Sequence, residues 1–426
     1  MRISISNIKG VIPAAARALG AIGALGAVVV PSAALAGGNG IPNENARDLA
    51  LAQAAVANQT GAEAVILNTA ALAGQEGLNI SAAGELLINR TDWTDSELGS
   101  ASLVTKTNTP PTAAVSFGAK LPNGMAWGAG VGFGVPAGGT LIWPNGWAGQ
   151  ERIQSVRQKV YEIAAGAAFQ PLPYLKLGAS WIHYRQVQEL HQEINYLDHF
   201  GDAGISLAGD GNTFGVAGEF TVPTIPLTIA VTYKHDADIT LKGDAHFEAV
   251  PETYQPMIHD QDVTEELTAP SELYIGAAYE AMPGLKVMAA YSFEHWTVYK
   301  SDTFVGSDDF TVVVPRNLKN AYVLRFGGEW EKPSFLPALT MRLGVLRSMS
   351  DQPGETVSPS LTDGKSTAVS AGAGYNILPS LRVDLGYQHA FFDKVRASGS
   401  EAFPGSYNTQ VDLISLGVNW RTDLRM

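Results

Sequence analysis

Thirteen charged residues recur at alternate positions of segments that otherwise read as apolar. They are Glu85, Glu162, Glu219, Glu280, Glu294, Glu329 and Asp384, with Lys176, Lys234, Lys286, Arg325, Arg342 and Arg382. On an enclosed face such a mixture forms ion pairs, because an unpaired buried charge is expensive. A subset, Lys234, Lys286, Arg325, Glu329, Arg342, Arg382 and Asp384, also has the chemistry to grip a ligand carboxylate, for which a planar guanidinium is well suited. For any single one of them, a structural ion pair is the simpler use. Catalysis finds little support. The chain contains neither Gly-x-Ser-x-Gly nor His-Glu-x-x-His. Gly364-Lys365-Ser366 ends like a phosphate-binding loop, but Pro359 stands where the first glycine belongs. His183, His191 and His199 are evenly spaced, which fits a metal or merely a polar surface. The tract 252–272 holds Asp260, Asp262, Glu265 and Glu266 without the spacing or glycine of a calcium loop. There is no cysteine, which excludes disulfides, thiolate zinc sites and thiol nucleophiles together. No catalytic residue, metal site or cofactor is expected.

The elements that would position these side chains are strands. Leu339, Met341, Leu343 and Val345 alternate with Thr340, Arg342, Gly344 and Leu346. Leu381, Val383, Leu385 and Tyr387 alternate with Arg382, Asp384, Gly386 and Gln388. The same period of two runs through Leu227 to Lys234 and through Leu285 to Glu294. One face is apolar, and the other is small, polar or charged. Charged residues make up only 16% of the 426, glycine is abundant at 45, and mean hydropathy is close to zero. Together with the absence of a long apolar run after the N-terminus, that is the composition of a transmembrane β-barrel. A net charge of −13 without a basic stripe argues against nucleic acid as a partner.

Export is written at the N-terminus. Arg2, Lys9 and Arg17 precede an apolar run from Ala18 to Val30, then Pro31 and the cleavage-like Ala34-Leu35-Ala36. Residues 1–36 therefore read as a signal peptide, since the run is too short to span a bilayer comfortably.

Short and long connections alternate along the rest of the chain. Pro- or Gly-bearing turns fall at 122–124, 170–173, 223–226, 282–284, 333–337 and 378–379. Between them lie polar stretches at 91–111, 136–150, 189–211, 250–270, 301–318, 350–365 and 393–407. Outer-membrane barrels alternate in this way because one rim faces the periplasm and the other the outside. Six turns and seven loops require fourteen strands, with both ends on the short-turn side. The barrel is assigned to 79–426.

Residues 37–78 differ. Asn43 is placed to cap a helix over 44–57, and Thr60-Gly61-Ala62-Glu63 has capping-box spacing before Ala64-Val65-Ile66-Leu67. Charges at Glu44, Arg47, Asp48 and Glu63 argue against a lipid-facing role. A plug inside the barrel and a periplasmic extension both remain open on this pattern. Gly128, Gly130, Gly132 and Gly134 leave one face of the third strand without side chains. Close approach of the plug, a strand that opens laterally, or ordinary curvature would each use that face.

Residues 45–52 and 67–73, Asn45-Ala46-Arg47-Asp48-Leu49-Ala50-Leu51-Ala52 and Leu67-Asn68-Thr69-Ala70-Ala71-Leu72-Ala73, resemble the hatch of the FadL-type outer-membrane transporters. Thr69 stands where that family has proline in Asn-Pro-Ala-Ala-Leu. The run Gly130-Val131-Gly132-Phe133-Gly134-Val135-Pro136-Ala137-Gly138, followed by Trp147-Ala148-Gly149-Gln150-Glu151-Arg152, is similar to the family's glycine-rich third strand and Trp-x-Gly-Arg element. Tyr233-Lys234-His235 lies where the family often has Tyr-Arg-Ser. The resemblance implies a monomeric fourteen-stranded barrel in a Gram-negative outer membrane, among lipid and lipopolysaccharide, with a hatch at Asn68, Thr69, Ala70, Ala71 and Leu72. It also implies passive uptake of hydrophobic small molecules, long-chain fatty acids in the first place and aromatic hydrocarbons in the second, through a hatch-gated barrel with sideways release through the wall near the third-strand glycines. A porin-like channel for small polar solutes is the alternative, and it requires an open lumen.

Overall fold

A computed structural model describes residues 45–104, 107–196, 199–308, 311–334, 336–350, 352–398 and 402–422. The expected signal peptide and Asn43 lie outside them.

Fourteen strands form one closed antiparallel barrel. They are β1 (Gly77–Asp95), β2 (Pro111–Lys120), β3 (Ala126–Ile142), β4 (Ser155–Leu172), β5 (Leu175–Asn195) and β6 (Phe200–Thr221). Four strands then run in two segments each: β7 (Leu227–Lys234, then Ala237–Phe247), β8 (Gln261–Ala269, then Glu272–Met282), β9 (Leu285–Glu294, then Ser301–Gly306) and β10 (Thr311–Pro315, then Ala321–Glu331). The last are β11 (Leu339–Ser348), β12 (Ser366–Leu378), β13 (Leu381–Phe392) and β14 (Ser406–Thr422). Pairing of β1 with β14, from Leu78↔Thr422 to Thr94↔Ser406, closes the wall. The strand count, the closure and the position of both ends on the short-turn side agree with the sequence pattern.

The faces agree as well. Leu177, Trp181, Phe214, Val231, Ile275, Phe326, Leu343, Leu385 and Leu416 point outward and are exposed, as lipid-facing side chains are. Their strand neighbours Glu219, Ala230, Arg325, Arg342, Asp384 and Ser415 are buried in the lumen. Among the described residues no helix is long and apolar enough to cross a membrane.

The outer connections need correction. Residues 189–211, expected as a loop, are almost all strand: β5 continues to Asn195 and β6 starts at Phe200. Much of 136–150, 250–270 and 301–318 is also strand. The reason lies at the lipid boundary. On β5 the outward positions change from Leu177 and Trp181 to His183, Arg185 and Glu189, while the inward ones become Ile182, Leu190 and Ile194. Above the bilayer the outside of the wall meets water, so the apolar face turns inward. The polar outward half of the alternation then imitates a loop.

That inward apolar face meets a cluster of outer-loop aromatics. Trp143 and Trp147 stack with ring centroids 4.4 Å apart, and Trp93 and Phe403 pack around Trp147. Their indole N–H groups donate to the carbonyls of Pro359, Ile153 and Pro404. The outer end is thus roofed by apolar packing between loops.

The topology gives a first test. Cysteine at Asp262, exposed on the outer part of β8, should react with an impermeant reagent on intact cells, and cysteine at Asn123, in the turn between β2 and β3, should not. The reverse labelling would invert the barrel in the membrane.

Candidate functional site

Inside the wall, residues 45–74 fold into four short helical turns: α1 (Ala46–Ala50), a 3-10 turn (Ala54–Asn58), α2 (Ala64–Leu67) and a second 3-10 turn (Thr69–Gly74). The single helix expected over 44–57 is broken. Ala52 and Gln53 adopt left-handed φ of 49° and 57°, an unfavourable conformation that packing must sustain. The cap of α1 is Asn45, whose side chain accepts from the Asp48 N–H at 2.8 Å. The capping box at Thr60 does not form, because α2 starts at Ala64 with no side-chain cap. Glu63 instead turns into the packed interior beside Ser81, and burial pushes its carboxyl up to about 7.

The turns fit because the wall beneath them is bare. A Cβ on Gly128 would come within 2.2 Å of the Leu72 carbonyl oxygen, and one on Gly132 within 2.7 Å of Val65. Gly178 faces Ala70, Gly276 faces Val56, Gly344 faces Leu51 and Gly372 faces Ala50 at similar range. Gly128 and Gly132 therefore belong to a glycine bed extending around the lumen, on which the segment lies, whereas a Cβ on Gly130 would meet the Val115 carbonyl of the neighbouring strand at 2.9 Å. A bulge interrupts β3 just beyond them, between Gly134 and Ala137.

Of the expected hatch residues, Asn68, Thr69, Ala70, Ala71 and Leu72 are all buried. Asn68 donates to the Val56 carbonyl at 2.8 Å and to Glu219 at 3.3 Å, and Thr69 donates to the Val65 carbonyl at 3.1 Å. The segment is a plug in the lumen rather than a periplasmic extension.

Lys176 and Glu219 pair with each other at 2.6 Å, and most of the other lumen charges fall into two groups. Glu329 accepts two bonds from Arg47, at 2.9 and 2.8 Å, one from Arg342 at 2.7 Å and one from Asn58 at 3.3 Å. Arg342 reaches on to Asp384 at 2.8 Å, and Arg382 reaches the same carboxylate at 2.9 Å. Lys286 donates to Asn58 at 3.2 Å. These five wall residues hold the hatch through Arg47 and Asn58. Glu280, expected on the same inward face, is exposed near the short-turn rim.

Lys234 and Arg325 stand apart, in a cavity of about 210 Å³ above the hatch. Val56, Ile66 and Thr69 of the hatch line it, with Ile182, Tyr184, Ala217, Ile239, Leu267, Tyr274 and Trp296 around the wall and Leu361 from the outer loops. Lys234 is paired with Glu162 at 3.1 Å. Arg325 donates to Ser292 at 2.7 Å and lies 5.3 Å from the Tyr274 ring centroid. Asp48, Glu272 and Glu294 also line the space. Its two cations are thus matched by acids, and most of the remaining surface is apolar. An engineered apolar cavity of roughly 150 Å³ holds benzene, so a single aromatic ring or a segment of alkyl chain fits here.

His183 and His191 lie on the outside of β5, and His183 meets Asn212 at 3.0 Å. Asp260 meets His246 at 2.6 Å, whereas Glu265 is buried beneath Gln188. Among the described residues, no group of three or more His, Asp and Glu could hold a metal ion. Reading by residue type missed the cavity itself, whose lining is ordinary Val, Ile, Ala and Tyr. Its sequence signals were Lys234 and Arg325, read as ligand candidates, and Pro270, which falls between the two segments of β8.

A closed barrel with outward apolar side chains, a packed hatch and a cavity between hatch and roof defines an outer-membrane transport protein. The chain belongs to the outer membrane protein transport protein family (OMPP1/FadL/TodX), whose model matches residues 27–421. No curated protein matches the sequence. Among solved structures, a Pseudomonas aeruginosa FadL homologue has a TM-score of 0.80 at 16% identity, over 90% of this chain and 99% of its own. The monoaromatic hydrocarbon channel CymD has 0.68 at 14%, over 90% and 99%. The toluene transporter TodX of P. putida has 0.68 at 16%, over 88% and 98%. At these identities the likeness establishes the fold. The family is one of outer-membrane transport proteins for hydrophobic compounds, not of enzymes.

Proposed function

We propose that the cavity is the holding site for passive uptake of neutral hydrophobic molecules, and that the hatch denies them a straight water-filled path. One observation carries this reading: a mostly apolar space of about 210 Å³ lies directly above a packed hatch. An apolar solute entering it leaves water and gains about 25 cal/mol for each Å² it buries. A polar solute gains no such term and meets the hatch below. This disfavours the porin alternative.

Within the class, long-chain fatty acids and aromatic hydrocarbons differ in one group, the carboxylate. Lys234 and Arg325 are the cavity's cations, and both already have partners. A carboxylate entering beside Asp48 and Glu272 would be repelled at short range. The lining therefore favours neutral, ring-sized compounds over the fatty acids that the resemblance brought first. Release would follow the bulge in β3, where Pro136 and Ala137 line the cavity.

Filling the space tests this reading. Ala217→Trp, at an inward cavity position, should lower the uptake rate of labelled toluene severalfold while the barrel remains heat-modifiable. Unchanged uptake would remove the cavity from the path.

A further inference from the structure

The ladder between β7 and β8 is interrupted on both strands at one height. Pairing runs up to Lys234↔Glu272 and resumes at Ala237↔Ala269. His235 and Asp236 thus stand opposite Pro270 and Ser271 without ladder pairs. Inward positions are even below the break (Thr232, Lys234; Glu272, Tyr274) and odd above it (Ala237, Ile239; Leu267, Ala269), so each strand carries one extra residue there. Pro270 has no N–H to contribute. The backbone N–H of His235 bonds sideways to the Phe214 carbonyl at 2.9 Å, and that of His295 to the Ser271 carbonyl at 3.0 Å. Both bonds tie the rims of the break to outer neighbours and neither crosses it. The interruption extends to β9 and β10, whose two segments are separated at the same height by residues 295–300 and 316–320. There the Arg316 N–H bonds to the Lys300 carbonyl at 2.7 Å and the Thr297 N–H to the Asn320 side chain at 3.0 Å, which bridges that part of the wall.

The cavity reaches this break. Tyr233, Lys234 and His235 line it on one side, and Thr268, Ala269 and Pro270 on the other. Two lining residues, Val216 and His235, are exposed on the outside of the barrel, Val216 at 46%. Both stand on the β6–β7 side of the break: Val216 pairs with Tyr233, and the rings of Phe214 and His235 are 5.0 Å apart. The same space thus contacts side chains on both faces of the wall. The height is also informative. Below the break the outward residues of β7 are Ile229, Val231 and Tyr233, and above it they are Asp238, Thr240 and Lys242. The break lies where the outer surface changes from apolar to polar, at the outer-leaflet interface.

We infer that the cavity opens sideways between β7 and β8, and that this port admits neutral apolar molecules already dissolved at the outer-leaflet interface. It is separate from the β3 bulge and reaches the cavity without passing the aromatic roof. A molecule taking it exchanges lipid for the lining of Tyr233, Thr268, Pro270 and Ile239 and does not re-enter bulk water. The inference rests on the proposed uptake function, so its test must separate the two.

Ser271 lies in the break but does not line the cavity, and the native chain has no cysteine. Ser271→Cys, labelled with a bulky maleimide, should lose most toluene uptake, measured against unlabelled protein of the same preparation. The same label on Thr240→Cys, exposed on the outer part of β7, should leave the rate unchanged. Undiminished uptake after complete labelling at 271, shown by intact mass, would overturn the port. A thiol at 271 that never reacts would overturn it too. Absence of toluene uptake by unlabelled protein and by the native chain alike would instead remove the transport reading on which the port rests.

Discussion

Deletion of residues 45–74 is expected to leave a folded, heat-modifiable barrel whose ion conductance in planar bilayers rises severalfold or more. The wall closes by its own ladder from β1 to β14, so the hatch is not needed for closure. What the hatch contributes is bulk: Leu49, Leu51, Val56, Val65 and Leu72 fill the lumen with almost no exposed surface. Without them the glycine bed borders an empty lumen, and water and ions follow. Conductance equal to that of the native chain would mean that some other element closes the pore.

The second large effect concerns Glu329. Its carboxylate joins Arg47 of the hatch to Arg342 of the wall, and all three side chains are buried. Glu329→Gln leaves two guanidinium groups facing a neutral amide. Breaking a buried pair in this way typically costs about 3–5 kcal/mol. The loss should appear as a looser hatch, with flickering conductance and faster amide exchange over residues 46–58, while exchange in the strands changes little. Arg47→Met combined with Glu329→Leu should be milder than Glu329→Gln, because it removes both members of the pair and leaves Arg342 with Asp384. A double variant as loose as the single one would show that the ion pair does not seat the hatch.

Much of the barrel was legible because lipid imposes a strict rule. Wherever the wall meets hydrocarbon, outward side chains must be apolar, and Leu339 to Leu346 or Leu381 to Gln388 display that rule residue by residue. Legibility stopped where the solvent changed. On β5 and β6 beyond Trp181 and Phe214 the rule inverts, and strand was mistaken for loop. The hatch was legible as a class of segment but not in its turns. Its alanines favour one helix, yet Ala52 and Gln53 are held in left-handed conformation by a wall that only the fold assembles.

Apart from Glu280, which is exposed near the short-turn rim, the charges at alternate positions lie on the inward face. They could not be sorted in advance, because pairing across the lumen joins residues far apart in sequence, such as Arg47 and Glu329. The lumen group Glu329, Arg342, Arg382, Asp384 and Lys286 serves the hatch, and Lys234 and Arg325 line the cavity. The break between β7 and β8 left only a faint trace, one proline and two one-residue slips, which become visible when neighbouring strands are set side by side.

The measurement closest to the central claim is uptake by cells whose outer membrane holds this chain as its one added transporter. The rates to compare are those for labelled toluene, a labelled long-chain fatty acid and a small labelled sugar. The chain should accelerate toluene uptake strongly, fatty-acid uptake less, and sugar uptake not at all. Rapid sugar entry with toluene at the background rate would contradict it.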